Sequence, residues 1–255
     1  MLLRNYVTEF HPKDDNYDFY DEIPVIDEGE YYWRVRGISK DNVPVTEWSG
    51  KTLNTTFRVK KPMRFCALGD SITHGGGSIS VPPSRIMYGW ENYCSVPVKN
   101  LGRSGDTTAQ LLERFDNDVL PFRPEVLIIM GGVNDFRSDI IGWDSTSNLE
   151  ALKIKCEENG IKPVFITPTP INPALMAHVD FVEPPPENWR EHRQYICDWI
   201  RKQEFYIDIA DDFTDDEGNL KVELTTDGLH PDAEGKQIIG RAVGLWLNNY
   251  LDSLK

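Results

Sequence analysis

The chain before Lys60 and the chain after it differ in how apolar and polar positions alternate. Glu30–Gly37 alternates with the period of two that is typical of a strand, and Thr55–Val59 does so again. No helical period is found in this part of the chain. The pattern therefore predicts a small β-rich segment.

Beyond Pro62, short apolar runs alternate with segments at helical spacing. The predicted strands are Met63–Leu68, Val96–Leu101, Val126–Met130, Pro163–Thr167 and Phe205–Ile209. The predicted helices are Arg85–Cys94, Thr107–Asp118, Asn148–Asn159, Trp189–Lys202 and Asp232–Tyr250. Short strands that are apolar throughout and alternate with helices are typical of a parallel sheet covered on both faces. The predicted fold class is α/β.

Lys60-Lys61-Pro62 predicts a domain boundary, with a small β-rich domain over residues 1–61 and a larger domain over residues 62–255. The first domain resembles the last strands of a fibronectin type III domain, with Tyr31–Arg36 as the strand that bears the corner tyrosine. A full immunoglobulin-type sandwich has about 100 residues. The resemblance therefore implies that the first strands are missing or replaced.

Charge excludes one class of partner. The chain has 27 basic and 41 acidic residues, a net charge of −14, and no basic cluster offsets this locally. Such a surface repels phosphate groups. We therefore expect neither nucleic acid nor an anionic membrane face as a partner.

The longest apolar run, Val126–Met130, is far shorter than the roughly 20 residues that span a bilayer. The first ten residues lack the charged-then-apolar pattern of a signal peptide. We expect no membrane span, and an extracellular or cell-envelope location with any leader absent from this chain. The four cysteines are scattered without a CxxC pair, which favours free, mostly buried thiols over a metal site or a disulfide framework: Cys66, Cys94, Cys156 and Cys197.

Four short blocks carry candidate chemistry. Gly69-Asp70-Ser71 places a serine hydroxyl after the first strand of the larger domain, at the edge where open α/β sheets bind ligands. Asp227 and His230 supply a carboxylate and an imidazole three residues apart, just before the last predicted helix. Serine, imidazole and carboxylate are the parts of an activated hydroxyl nucleophile. The working hypothesis is a serine hydrolase, although Ser71 alone could equally cap a helix.

The other two blocks offer donors for a developing negative charge. Gly105 suits a loop whose backbone N–H must approach a ligand without a Cβ in the way, although Ser104–Thr107 is also a good helix start. Asn134 has an amide that can donate to an oxyanion but cannot act as a base. Asn134 or Asp135 could instead cap a helix, and the residues alone leave this role open.

These four blocks, in this order, resemble the SGNH (GDSL) hydrolase family. The resemblance implies Ser71 as nucleophile and His230 as base, held by Asp227. It implies an oxyanion hole made by the N–H groups of Ser71 and Gly105 and the side chain of Asn134. The implied fold is a three-layer α/β/α sandwich with a five-stranded parallel sheet. The first block reads Gly-Asp-Ser-Ile-Thr instead of Gly-Asp-Ser-Leu, which leaves the nucleophile unchanged.

Two other glycine-rich motifs could be read into the sequence, and neither is complete. His74-Gly75-Gly76-Gly77 mimics the oxyanion motif of α/β-hydrolase lipases, but the chain lacks the Gly-x-Ser-x-Gly elbow of that fold. It also lacks the glycine spacing of a dinucleotide site, and neither cofactor nor metal is expected. His74, Trp90 and Val133 are candidates for substrate contacts.

The expected substrate is a small-molecule or carbohydrate ester with a short, acetyl-type acyl group. A fibronectin-like neighbour resembles the modules found beside secreted enzymes that act on polysaccharides, and the polar Gly75–Ser78 loop does not suggest a long acyl groove. A lysophospholipase or thioesterase of the same family is the alternative. A non-catalytic carbohydrate-binding protein on this scaffold is a second one, and the oligomeric state is left open.

Overall fold

The computed structural model describes residues 29–31, 36–37, 39, 43–48, 57–59, 63–75, 86–178 and 184–255. In the N-terminal part, β1 (Gly29–Tyr31) and β2 (Phe57–Val59) pair antiparallel. This agrees with the predicted β-rich character. Most of the fibronectin-like segment lies outside the described residues, and the boundary near residue 61 stays a prediction.

A five-stranded, wholly parallel sheet forms the centre of the larger domain. Its strands are β3 (Phe65–Gly69), β4 (Lys99–Gly102), β5 (Val126–Met130), β6 (Lys162–Ile166) and β7 (Tyr206–Ile207). Their order is β4-β3-β5-β6-β7. Every residue of β3 and β5 is buried, which requires cover on both faces.

The helices form the outer layers. They are α1 (Ser71–His74), α2 (Thr108–Asp118), α3 (Val133–Arg137), α4 (Gly142–Glu158), α5 (Pro173–Met176), α6 (Trp189–Ile200), α7 (Ala210–Phe213) and α8 (Ala233–Ser253). Helix α4 packs on both α2 and α6 in one layer. In the other layer α8 packs with three 3-10 turns, Ile86–Tyr88, Trp90–Tyr93 and Val222–Leu224. The three-layer α/β/α sandwich is confirmed.

The strand predictions hold with small shifts at the ends. The second predicted strand begins at Lys99 instead of Val96, because Pro97 has no N–H to give to a ladder. The fifth shrinks to Tyr206–Ile207 at the sheet edge, where short strands are common.

One predicted helix, Arg85–Cys94, is wrong. Its described part forms two 3-10 turns, Ile86–Tyr88 and Trp90–Tyr93. Gly89 between them is extended, and the Asn92 side chain donates to the carbonyls of Ile86 (3.3 Å) and Gly89 (3.2 Å). Such local side-chain bonds compete with helical backbone bonds.

Helix α4 begins six residues before the predicted Asn148. Its first turns hold three hydroxyl residues. The Ser145 hydroxyl donates to the Ile141 carbonyl at 3.3 Å, and those of Thr146 and Ser147 both donate to the Trp143 carbonyl, at 3.1 and 2.8 Å. Hydroxyl residues at a helix start look like loop in sequence.

The four cysteines are free thiols, three of them buried and Cys94 half-buried, as predicted. Among the helices of the described residues, none combines the length and apolarity needed to cross a bilayer.

Candidate active site

Ser71 is the first residue of α1, directly after β3. The Asp70 carboxylate caps this short helix by accepting the Ile72 N–H at 2.9 Å. A glycine is required at position 69, because an added Cβ would lie 2.3 Å from Thr73 Oγ1 and 2.5 Å from the Met130 carbonyl. Ser71 is 8% exposed, so most of this side chain is shielded from solvent.

Ser71, His230 and Asp227 form a series in which each side chain contacts the next. The Ser71 Oγ lies 2.9 Å from His230 Nε2, and His230 Nδ1 lies 2.8 Å from Asp227 Oδ2. Asp227 Oδ1 accepts the backbone N–H groups of Leu229 (2.8 Å) and His230 (2.7 Å). Burial acts to raise the pKa of Asp227, but the bonds from His230 and from these backbone groups outweigh it and hold that pKa below its usual value.

A tight turn presents this pair. Gly228 has a φ of +78°, and an added Cβ would lie 2.4 Å from the Asn172 carbonyl. The Gly228 carbonyl accepts the Asn172 N–H at 2.7 Å. The Thr225 hydroxyl donates to the His230 carbonyl at 2.8 Å. The turn is thus locked against α5 on one side and against its own start on the other.

The donor candidates lie on the segments that follow the strands on either side of Ser71. β4 and β5 are the two neighbours of β3, so the segments that carry Gly105, Ser71 and Asn134 leave the same edge of the sheet side by side. Gly105 has a φ of +83°, and no atom lies within 4 Å of an added Cβ. The space where a side chain would begin is therefore open.

The Asn134 amide is held in a fixed orientation. Its Nδ2 donates to the Asp106 carbonyl at 2.9 Å, and its Oδ1 accepts Arg137 Nε at 3.1 Å. An amide nitrogen has two N–H donors, so one remains beside the bond to Asp106.

The neighbouring Asp135 is the residue of the pair that binds the start of a helix. The sequence left open whether Asn134 or Asp135 does so. The Asp135 carboxylate accepts the Thr108 N–H at 2.9 Å and the Thr108 hydroxyl at 2.5 Å, so it holds the start of α2. Burial raises the pKa of Asp135, although the bonds from Thr108 oppose the shift. Asn134 is the donor candidate of the pair and Asp135 is a structural acceptor.

Two of the three predicted substrate contacts are buried side chains. Trp90 is 0% exposed because its backbone packs under α8, where a Cβ at Gly240 would lie 2.2 Å from the Trp90 carbonyl. Val133 is 1% exposed and belongs to the core. His74 is half-buried, and its Nδ1 lies 3.3 Å from the Ser104 hydroxyl. Burial, with the nearby charges of Lys236 and Arg114, lowers the pKa of His74 to about 4.

Two buried cations beneath the site escaped the sequence analysis. Lys236 of α8 donates to the Ile72 carbonyl, and Arg114 of α2 donates to the Gly69 carbonyl at 3.0 Å. Burial lowers the pKa of Lys236 to about 7 and raises that of Asp70 to about 6, while attraction between the two groups opposes both shifts. Both cations occupy core-facing positions of amphipathic helices, and that spacing is the signal that could have found them.

Chemically, the arrangement can activate a hydroxyl. A serine in contact with an imidazole that is oriented by a buried carboxylate is the geometry of an activated nucleophile. Backbone and amide donors on the neighbouring loops are suited to an oxyanion.

The sequence profile of the GDSL-like lipase/acylhydrolase family matches residues 67–238 of this chain. The match covers more than half of the chain and includes all four blocks. The chain therefore belongs to this family, as the resemblance of the motifs indicated, and the family supports a hydrolase.

Solved structures with the same fold come from several bacteria. A lipase/acylhydrolase from Enterococcus faecalis is 24% identical, with a TM-score of 0.59, over 74% of this chain and 97% of that one. A GDSL-like lipase from Bacteroides thetaiotaomicron is 19% identical, with a TM-score of 0.58, over 75% and 93%. A catalytic mutant of an acetylxylan esterase from Geobacillus stearothermophilus is 18% identical, with a TM-score of 0.54, over 74% and 95%. No curated protein sequence matches this chain significantly. At these identities the structures show the fold.

Proposed function

We propose that this member of the GDSL-like lipase/acylhydrolase family is a serine esterase that removes short acyl groups, acetyl above all, from carbohydrate esters. The observation that carries the proposal is the continuous series of contacts from Ser71 through His230 to Asp227, at 2.9 and 2.8 Å. Distances in this range permit direct proton transfer between the hydroxyl and the ring.

The proposed reaction has two steps. The Ser71 oxygen attacks the ester carbonyl while His230 Nε2 takes the hydroxyl proton, and the same proton then passes to the departing alcohol. Water next attacks the acyl-serine, giving its proton to His230, and the carboxylic acid leaves as the Ser71 hydroxyl is restored. Asp227, whose pKa lies below its usual value, remains a carboxylate and stabilises the imidazolium in both steps.

The oxyanion of each tetrahedral intermediate would accept from the Ser71 N–H, the Gly105 N–H and the second N–H of the Asn134 amide. The Asn134 side chain is held by Asp106 and Arg137 before any substrate arrives. Donors that need no reorganisation are the effective ones, and the loss of one typically costs about 2.7–4 kcal/mol of transition-state stabilisation.

The first test of the mechanism is Ser71→Ala with p-nitrophenyl acetate. We expect turnover to be abolished while the circular dichroism spectrum is unchanged. Ser147→Ala is the matched control, because Ser147 is exposed on α4 and its hydroxyl donates only to a carbonyl of its own helix at 2.8 Å. Retained hydrolysis by Ser71→Ala would refute the nucleophile assignment.

A fluorophosphonate probe tests the same assignment without a substrate. Two serines of the described site lie next to a histidine, Ser71 beside His230 and Ser104 beside His74. Peptide mapping of the labelled protein should find the probe on Ser71. No labelling of the folded protein would favour the non-catalytic carbohydrate binder.

The short acyl group rests on the character of the site walls. Within the described residues of the four blocks, no large hydrophobic side chain is exposed, so these residues offer no apolar groove for a long chain. The acetylxylan esterase of the same fold adds an example of acetyl chemistry on a carbohydrate.

Substrate length separates this proposal from a lysophospholipase or thioesterase. A series of p-nitrophenyl esters from acetate to laurate should give the highest kcat/KM for acetate. Acetylated xylan and pectin should then release acetate. A preference for acyl chains beyond eight carbons would overturn the carbohydrate-ester proposal and favour the lipid-type alternative.

A further inference from the structure

One buried arginine contacts several parts of the candidate site at once. Arg114 of α2 is 6% exposed, and its guanidinium donates to four different oxygens. Two are backbone carbonyls, Leu101 at 2.8 Å and Gly69 at 3.0 Å. The other two are carboxylate oxygens, of Asp106 at 2.5 Å and of Asp118 at 3.1 Å.

Each loop that carries a proposed oxyanion donor is tied to this guanidinium. Gly69 ends β3, two residues before Ser71. Leu101 and Asp106 lie on either side of Gly105, so two of the bonds bracket that loop. The Asp106 carbonyl in turn accepts the Asn134 amide at 2.9 Å, which connects the third loop.

Simple core filling does not explain this residue. Burying ions costs several kcal/mol per ion, and apolar side chains of similar volume often serve stability as well or better. The charges are compensated locally, because Arg103 also donates to Asp118 at 3.0 Å, so two arginines face two carboxylates. Only the planar fork of an arginine can donate to four oxygens in such different directions.

We infer that Arg114 is a positioning residue that fixes the three oxyanion donors relative to Ser71. The inference rests on the proposed esterase function. Arg114 would act only by holding other groups in place, because its guanidinium contacts the segments that carry the donors and touches no reacting atom. Misplacement of a catalytic group by about 1 Å can cost a factor of about 100 in rate.

Arg114→Lys is the test, because lysine keeps the charge but cannot span four acceptors. Active sites are first counted by titration with a fluorophosphonate to completion, so that unfolded molecules do not contribute to kcat. Per titrated site, we expect kcat for p-nitrophenyl acetate to fall about 10- to 100-fold, with KM changed less than about threefold. Affinity for phenylboronic acid, which forms a tetrahedral adduct with an active serine, should weaken by a similar factor.

Arg193→Lys is the matched control. Arg193 is also a buried arginine, 8% exposed, and its Nε donates to the Pro168 carbonyl at 3.0 Å, but it is bonded to none of the donor loops. We expect this variant to lose stability and to keep kcat per titrated site. If Arg114→Lys behaves in the same way, Arg114 is merely structural and the inference is overturned.

Asp118→Asn is a milder second variant, for use if Arg114→Lys does not fold. It leaves the bonds of Arg114 to the loops but removes a charge that holds the guanidinium, and we expect a few-fold loss of kcat at unchanged KM. An unchanged kcat would contradict the inference. Absence of esterase activity and of Ser71 labelling in the wild-type protein would instead refute the proposed function, so the two failures are distinguishable.

Discussion

Two glycines allow the proposed role of the Gly105 backbone to be separated from its conformation. Gly105 and Gly160 both have positive φ angles, +83° and +68°, and both are exposed. At neither position would an added Cβ meet an atom within 4 Å. The local structural cost of alanine should therefore be the same at the two positions.

That cost follows from the backbone. A left-handed conformation costs a residue with a Cβ roughly 1–2 kcal/mol. Replacing glycine also reduces the freedom of the unfolded chain, which returns about 0.4–1 kcal/mol. We expect each variant to lose about 1 kcal/mol of unfolding free energy, or about 2–4 °C in Tm for a domain of this size.

Activity should distinguish the two variants. In Gly105→Ala the new methyl group stands beside the N–H that we propose to bind the acyl oxygen, whereas Gly160 lies after α4 and outside all four blocks. The loss of one oxyanion donor lowers kcat by about 10²–10³. We expect kcat/KM of Gly105→Ala for p-nitrophenyl acetate to fall about 100-fold, and that of Gly160→Ala to stay near the wild-type value.

The two variants can be compared by thermal unfolding and steady-state kinetics on the same preparations. Equal losses of Tm with unequal losses of kcat/KM support the donor role. If the two variants are equally active, within about threefold, no substrate atom approaches the Gly105 N–H and that part of the proposed oxyanion hole is wrong.

Two further predictions concern titrating groups. Burial lowers the pKa of His74 from its usual 6.5 to about 4. Between these two pH values the unfolded state binds a proton that the folded state does not. The contribution of His74 to the unfolding free energy is therefore complete above pH 6.5, and by pH 4 up to about 3 kcal/mol is lost. Urea unfolding at pH 7.5 and 4.5 should show this loss reduced in His74→Asn, and an unchanged pH dependence would contradict it. Burial also raises the pKa of the Cys66, Cys94 and Cys156 thiols to about 12, and it raises the pKa of the Cys197 thiol above its ordinary value. A disulfide reagent should therefore modify no cysteine at neutral pH before urea unfolds the protein, and four afterwards. Rapid labelling of the native protein would refute this.

The parts of the fold set by local pattern could be predicted from the sequence. Val126–Met130 is a strand with the predicted bounds, because a run of five apolar residues is typical of a strand that is buried on both faces. Ser71 and His230 meet across 159 positions. Ser71 follows the end of β3, whereas His230 lies in a turn before α8 that is bonded to Asn172 through Gly228. The order of the strands therefore places Ser71, and the packing of this turn on α5 places His230. Trp90 could not be assigned in this way, since its burial depends on the close approach of Gly240 from α8.

For Arg114 and Lys236 the pattern of the sequence can indicate burial but not the groups that they bind. In α2, Leu111, Arg114, Phe115 and Asp118 follow the spacing of one buried face, and Lys236 holds the same kind of position in α8. A charged residue at such a position lowers the apolar signal of its helix, and its partners are carbonyls of distant strands and turns that no local spacing reveals.

The two cations also explain how a short turn can be rigid. Helix α1 has only four residues, too few for stability of its own, yet it begins with Ser71. Arg114 holds the Gly69 carbonyl just before it, and Lys236 holds the Ile72 carbonyl just after its first residue. The first bond connects Ser71 to the loops with the donor candidates, and the second connects it to the helix that follows His230. The contacts on which the proposed chemistry depends are therefore held from beneath by buried side chains of α2 and α8.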